Sequence, residues 1–179
     1  MKSRFSIRLI AVSVFALTSA FRLAAQDNQG QDHKHHSYKL IDLGTFGGPD
    51  SYLAYPPPDI VLSNQGSVVG IADTPESDPF YPNCFNDCVV SYAFRWHDGI
   101  LTDLGALPGA GSSSFAISQN ATGQAAGISE NGLIDPLTGY PEVDAALWEK
   151  NGHIKNLGTL GGNASFAQQI NDRGQSDTL

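Results

Sequence analysis

One short phrase occurs three times in this chain of 179 residues: Asp42-Leu43-Gly44-Thr45-Phe46-Gly47-Gly48, Asp103-Leu104-Gly105-Ala106-Leu107-Pro108-Gly109 and Asn156-Leu157-Gly158-Thr159-Leu160-Gly161-Gly162. Each copy leads to a Ser and then to a polar turn with a Gly at a fixed place. The chain therefore reads as an array of one supersecondary unit rather than a fold built once. Other landmarks keep the same step: Trp96 and Trp148 lie 52 residues apart, Leu104 and Leu157 53, Gly123 and Gly174 51. Leu43 and Leu104 are 61 apart, because an additional Pro56-Pro57-Pro58 lengthens a loop of the first unit.

The second unit shows how each copy is built. Tyr92-Ala93-Phe94-Arg95-Trp96 alternates with a period of two, which places Tyr92, Phe94 and Trp96 on one face of a strand. His97-Asp98-Gly99 turns the chain, Asp-Gly being favoured where both central residues take positive φ. Residues 100–104 return, Pro108-Gly109-Ala110-Gly111 breaks the strand, 114–118 form a third strand, and Asn120-Ala121-Thr122-Gly123 leads to a fourth over 124–128. The third unit repeats this order from Ala145 to Gly174, including a strand over 165–170, and the first runs from a strand over 38–43 to the turn Ser63-Asn64-Gln65-Gly66. Units of about 38–90, 91–143 and 144–179 result, the last incomplete.

Four short antiparallel strands in each unit of about 50 residues are the sequence form of a propeller blade. The expected fold class is all-β, a tandem array of four-stranded antiparallel repeats making a partial β-propeller-like structure. A β-solenoid is the main competitor, though its coils keep shorter and stricter periods; helical repeats do not fit the Gly density. The third unit stops at Gly174-Gln175-Ser176-Asp177-Thr178-Leu179, where the others continue into a strand. The expectation is a truncated member of a longer family, or a partial blade set completed by oligomerisation.

Ala93-Phe94-Arg95-Trp96 with Asp98-Gly99, Asp103-Leu104-Gly105 and the stretch from Asn120 to Gly127 resembles the bacterial extracellular HAF repeat. The resemblance covers residues 38–175, with Tyr92 and Asp144 standing where that repeat carries its name-giving His. It implies export and tandem repeats. It lends no catalytic residues.

Export is also read from the N-terminus. Lys2, Arg4 and Arg8 precede an apolar run from Leu9 to Ala20, which fits a secretory signal peptide over 1–25 cut after Ala25, with Ala20 as an alternative cut and an uncleaved membrane helix as the competing reading. Residues 26–37, with His33, His35 and His36, read as a disordered polar linker. Removing 1–25 takes four basic residues from ten, leaving six against eighteen acids and a formal charge of −12. Such a polyanion is repelled by phosphate backbones and anionic lipid, so neither nucleic acid nor a membrane surface is an expected partner. Localisation is expected to be secreted, extracellular or periplasmic, with no membrane span after cleavage. In that setting Cys84 and Cys88 are expected to form a local disulfide.

Asp42, Asp103 and Asn156 recur before Leu-Gly in every copy, which argues for a structural Asx bond rather than a ligand ring. Trp96 and Trp148 recur likewise and read as packing between adjacent sheets. There is no serine nucleophile elbow, zinc helix motif or phosphate loop, so no enzyme activity, catalytic residue, metal site or cofactor is expected. What differs between copies are the expanded connections 72–90 and 129–143. They hold Asp73, Glu76, Asp78, Tyr81 and Asp87 in the first, and Glu130, Asp135, Tyr140 and Glu142 in the second. These are the candidate ligand-facing residues of a surface or extracellular binding or structural module, whose partner would be a glycan or protein at the cell surface. The alternative is an exported hydrolase or lyase with a site formed by the propeller loops.

Overall fold

The computed structural model describes residues 37–54, 61–109 and 111–178. The segment expected to be a signal peptide, nearly all of the expected polar linker and Pro56-Pro57-Pro58 lie outside them. The chain divides into units 1–40 and 41–179. The first contributes the described residues 37–40, exposed and in no strand.

The second unit carries two four-stranded antiparallel sheets. β1 (Ser51–Tyr52), β2 (Val68–Ser77), β3 (Val89–His97) and β4 (Ile100–Gly105) lie side by side in that order, followed by β5 (Ser114–Gln119), β6 (Ala125–Ile134), β7 (Pro141–Trp148) and β8 (Ile154–Gly158) in the next sheet. Among the described residues there is no helix. The fold is all-β, tandem and partially propeller-like, and its hairpin pairing is not that of a solenoid.

The sheets and the sequence repeat are out of phase. Each sheet joins the latter half of one sequence unit to the first half of the next, so the Asp-Leu-Gly phrase ends an outer strand and carries the chain across to the following sheet. The reason lies in the backbone. Gly105 and Gly158 have φ of +72° and +74°, a left-handed conformation that no strand continues through. Asp103 Oδ1 and Asn156 Oδ1 each accept the N–H of the Gly two residues on, both at 2.6 Å, and Asp42 does the same for Gly44 at 2.9 Å. The recurrent acid or amide is thus an Asx anchor.

The carbonyl of that Gly and a facing alanine N–H are satisfied by a serine of the segment that follows. Ser114 Oγ donates to the Gly105 carbonyl at 2.7 Å and accepts the Ala93 N–H at 2.8 Å. Ser165 Oγ repeats both bonds with the Gly158 carbonyl and the Ala145 N–H, at the same distances. Trp148 Nε1 also donates to the Gly105 carbonyl, at 3.1 Å. The ladder between β3 and β4 is irregular between Ala93 and Phe94, and that between β7 and β8 between Ala145 and Ala146. The serine hydroxyl supplies the bonding lost at each irregularity.

Stacking follows from the period of two. Phe94 and Trp96 face one way with Val68, against Leu43 and Phe46, while Val69 and Ala93 face the second sheet and meet Ala116, Ala125, Ala146 and Trp148. Fully buried alanines on both sides bring the backbones near enough for the serine bonds. A third cluster joins Ala126, Ala145 and Leu147 to Ala167 and Ile170. The Asp98-Gly99 turn is as expected, both residues having positive φ.

Three local expectations differ. Residues 38–43 form no strand, and the first strand is the two-residue β1, paired through Ser51 to Ala72 and Tyr52 to Ile71. Residues 165–170 make only a bridge from Ile170 to Ser176. β2 and β6 run several residues further than the alternation suggests, through register shifts at Asp73/Ser77 and Glu130/Ile134, because irregular pairing lets charged residues stay in the ladder.

Trp148 is 1 % exposed between the sheets, whereas Trp96 is half-buried at the outer face. Replacing Trp148 with Ala is expected to cost about 3–5 kcal/mol in urea unfolding, and Trp96→Ala clearly less. Equal costs would contradict the stacking described.

Candidate functional site

The β2–β3 and β6–β7 connections leave from the same end of their sheets, and both are built loops rather than loose ones. In the first, Asp78 accepts the N–H groups of Phe80 and Phe85, and its own N–H reaches the Cys88 carbonyl. Cys84 and Cys88 are joined in a disulfide. In the second, Asp135 Oδ1 accepts the Leu137 N–H, while its backbone pairs with Tyr140 and Gly139. The Leu137 N–H holds the Asp135 carboxyl below its ordinary range, against a small opposing effect of burial. The loops are also tied together, Asn83 Nδ2 donating to the Gly139 carbonyl at 2.8 Å.

This frame leaves apolar and aromatic side chains outside. Tyr81 is 77 % exposed, Leu137 90 % and Tyr140 54 %. Glu76 and Asp87 are exposed, and Asp135 and Glu142 half-buried. Asp73, Asp78 and Glu130 are buried beneath the loops instead of facing solvent. Asp73 and Glu130 sit midway along β2 and β6, where the register shifts begin, and Asp78 lies just beyond β2.

Asp73 and Glu130 hold equivalent places. Asp73 exchanges two bonds with Asp50, backbone N–H to carbonyl and carboxylate from the Asp50 N–H, and Glu130 does the same with Ser113. Ser91 links the two pairs, its hydroxyl donating to Asp73 Oδ1 at 2.7 Å and its N–H to Ser113 Oγ at 3.2 Å. Burial pushes the Asp73 carboxyl up, with the Ser91 and Asp50 bonds opposing. Burial likewise raises Glu130 from 4.5 to about 7, lowered in part by the Ser113 N–H and raised further by Asp78. One oxygen of Glu130, Oε1, is buried with no hydrogen-bond partner.

Asp50, Asp73 and Asp87 bring one carboxylate oxygen each to within 4.8 Å of one another. Such oxygens are the donors a hard divalent cation takes, Ca²⁺ above all. Tyr52 hydrogen-bonds Asp87, which with desolvation and the nearby acids pushes its phenol up to about 12. Asp50 and Tyr52 were not singled out in the sequence. Their only signal is position, just after the first Gly-Gly.

With this geometry in hand, comparison with known proteins adds no relative: no family model matches the chain, nor does any curated protein or solved structure. Among the described residues no helix is long and apolar enough to cross a membrane.

Stability should depend on pH through Glu130. Its folded carboxyl releases its proton near 7 and its unfolded one near 4.5, so between those values the folded chain binds more protons and loses stability as pH rises. The expected fall is on the order of 2 kcal/mol from pH ~4.5 to ~7, and Glu130→Gln should flatten it in thermal melts. A melting temperature that rises over that interval, or an unchanged slope in the variant, would show that Glu130 is not the group responsible.

Proposed function

We propose that this chain is an exported repeat protein that acts as a binding module outside the cytoplasm, presenting the long-loop end to a glycan or protein at the cell surface. The observation that carries this reading is the bond from Asn83 to the Gly139 carbonyl, which couples the loops of adjacent sheets around exposed Tyr81, Leu137 and Tyr140. Aromatic side chains held on a stiff frame lose little freedom on binding and offer both an apolar ring and a polar hydroxyl. The disulfide accords with an oxidising compartment, and the resemblance to the HAF repeat supports export. The hydrolase or lyase alternative is disfavoured because Asp73 and Glu130, the acids whose protonation is perturbed upward, are buried away from any substrate.

Two measurements test the reading. Material recovered from the periplasm or medium of an expressing bacterium should begin at Gln26 and carry the Cys84–Cys88 bond by non-reducing mass spectrometry; retention of Met1 with free thiols would count against export. On arrays of bacterial surface glycans and extracellular proteins, Tyr81→Ala with Tyr140→Ala should weaken binding about tenfold or more, with stability changed by less than about 0.5 kcal/mol. Equal binding by the double variant would remove the loop end as the site.

A further inference from the structure

The two ends of the array differ in charge as much as in shape. Connections 72–90 and 129–143 together hold seven acids and not one Lys, Arg or His. Every basic side chain from residue 41 onward lies towards the opposite end. Arg95 and His97 close β3, Lys150 and His153 lie in the connection to β8, Lys155 is at the start of β8, and Arg173 is in the Asn171–Gly174 turn. The acid–base contacts formed among the described residues, His97 with Asp98 and His153 with Glu149, are at that end too. The carboxylates of the long-loop end therefore have no cation beside them in their own connections, and the field they set up is of one sign.

Apolar groups are interleaved with these charges. Leu133 and Ile134, 59 % and 42 % exposed, join Tyr81, Leu137 and Tyr140 on the same pair of loops. Ile134 lies opposite Pro141, and the Asp135 N–H reaches the Tyr140 carbonyl, so an acid and an aromatic residue stand across from each other at the tip of the second loop. The bond from Asn83 to the Gly139 carbonyl brings the first loop to that tip, with Tyr81 two residues before Asn83 and Tyr140 directly after Gly139. Apolar residues exposed singly are ordinary, but five of them on two bonded loops make a surface.

The combination selects a partner. A neutral glycan would use the tyrosine rings but leave Leu133, Ile134 and Leu137 in water and gain nothing from the acids. Anionic lipid and nucleic acid are repelled. A purely apolar partner would strip water from Glu76, Asp87, Asp135 and Glu142 without replacing it. A protein face that interleaves Lys or Arg with aliphatic groups answers both demands. The stems of its basic side chains cover apolar surface, their heads pair with carboxylates, and an Arg or Lys over a tyrosine ring adds a cation–π contact. The loops are already stiffened, so docking costs them little ordering.

Resting on the reading of the long-loop end as a binding surface, we propose that its partner is a protein presenting a cationic amphipathic segment. Titration calorimetry on the full chain tests this, with an amphipathic helical peptide of Leu and Lys as probe and its Leu and Glu counterpart as control. The Leu–Lys peptide should bind with about micromolar affinity, more weakly as salt rises, and the Leu–Glu peptide should not bind. Glu76→Gln with Glu142→Gln should weaken binding about tenfold. Glu76 is exposed, Glu142 half-buried, and the frame bonds are made by Asp78 and Asp135 instead, so this variant keeps the fold. Asp98→Asn with Glu149→Gln removes the same charge from the turn end and should change binding less than about twofold. Leu137→Ser should weaken it about tenfold.

No binding of the Leu–Lys peptide, or equal weakening by the two charge variants, overturns the proposal. Polylysine or a chitosan oligomer binding as tightly as the Leu–Lys peptide would leave the apolar groups without a role and overturns it too. If Tyr81→Ala with Tyr140→Ala still lowers binding on the glycan and protein arrays, the long-loop end stands as a binding surface and only the cationic protein partner is wrong.

Discussion

A single serine hydroxyl in the segment that follows each sheet holds the array together. Ser114, at the head of β5, and Ser165, beyond β8, each accept an alanine N–H and donate a hydrogen bond to a glycine carbonyl of the preceding sheet. The repeated phrase creates the need for that hydroxyl. A left-handed Gly ends the outer strand, its N–H is covered by the Asx anchor two residues before, and the facing buried alanine N–H would otherwise be left without a partner in the half-buried joint beside the Gly carbonyl. Only a close neighbour can reach both groups. The alanines at 93, 116, 125, 145 and 146 allow that approach, and Trp148 fills the remaining space while adding its own bond to Gly105.

Once the sheets are stacked in this way, their two ends acquire different characters. Long connections emerge at one end, where a disulfide, an Asx turn and the Asn83 to Gly139 bond hold aromatic groups outward over buried acids. Short turns meet at the other, each wound around its own Ser or Asn and bonded to the next. The acids at Asp73 and Glu130 belong to the frame of the first end, since each closes the gap between an inner strand and the residue before it. Their raised protonation follows from burial in the same joint.

Much of this frame can be read from the chain because its signals are local. Alternation places Tyr92, Phe94 and Trp96 on one face, Asp98-Gly99 specifies its turn, and the recurrence of Asp42, Asp103 and Asn156 identifies an anchor. The disulfide follows from two near cysteines. What escapes depends on contacts between distant segments. A serine is too common a residue to advertise a bond to the previous sheet, and the phase of the sheets cannot be told from a repeat that looks the same wherever it is cut. Asp73, Asp78 and Glu130 read as ligand-facing loop residues, and only bulged pairing with packing from the neighbouring sheet puts them inside. Asp50 and Tyr52 lie in a two-residue strand and its approach, too short to show any period.

Residue-resolved amide hydrogen exchange at Ala93 and Ala145 tests the serine rung most directly. Both amides donate to a serine hydroxyl, Ser114 at the head of β5 and Ser165 in the segment after β8. They should exchange as slowly as the central amides of β3 and β7, with Ser114→Ala accelerating Ala93 but not Ala145, and Ser165→Ala doing the reverse. Exchange at Ala93 and Ala145 as fast as that of exposed turn amides in the unmodified chain would contradict the account.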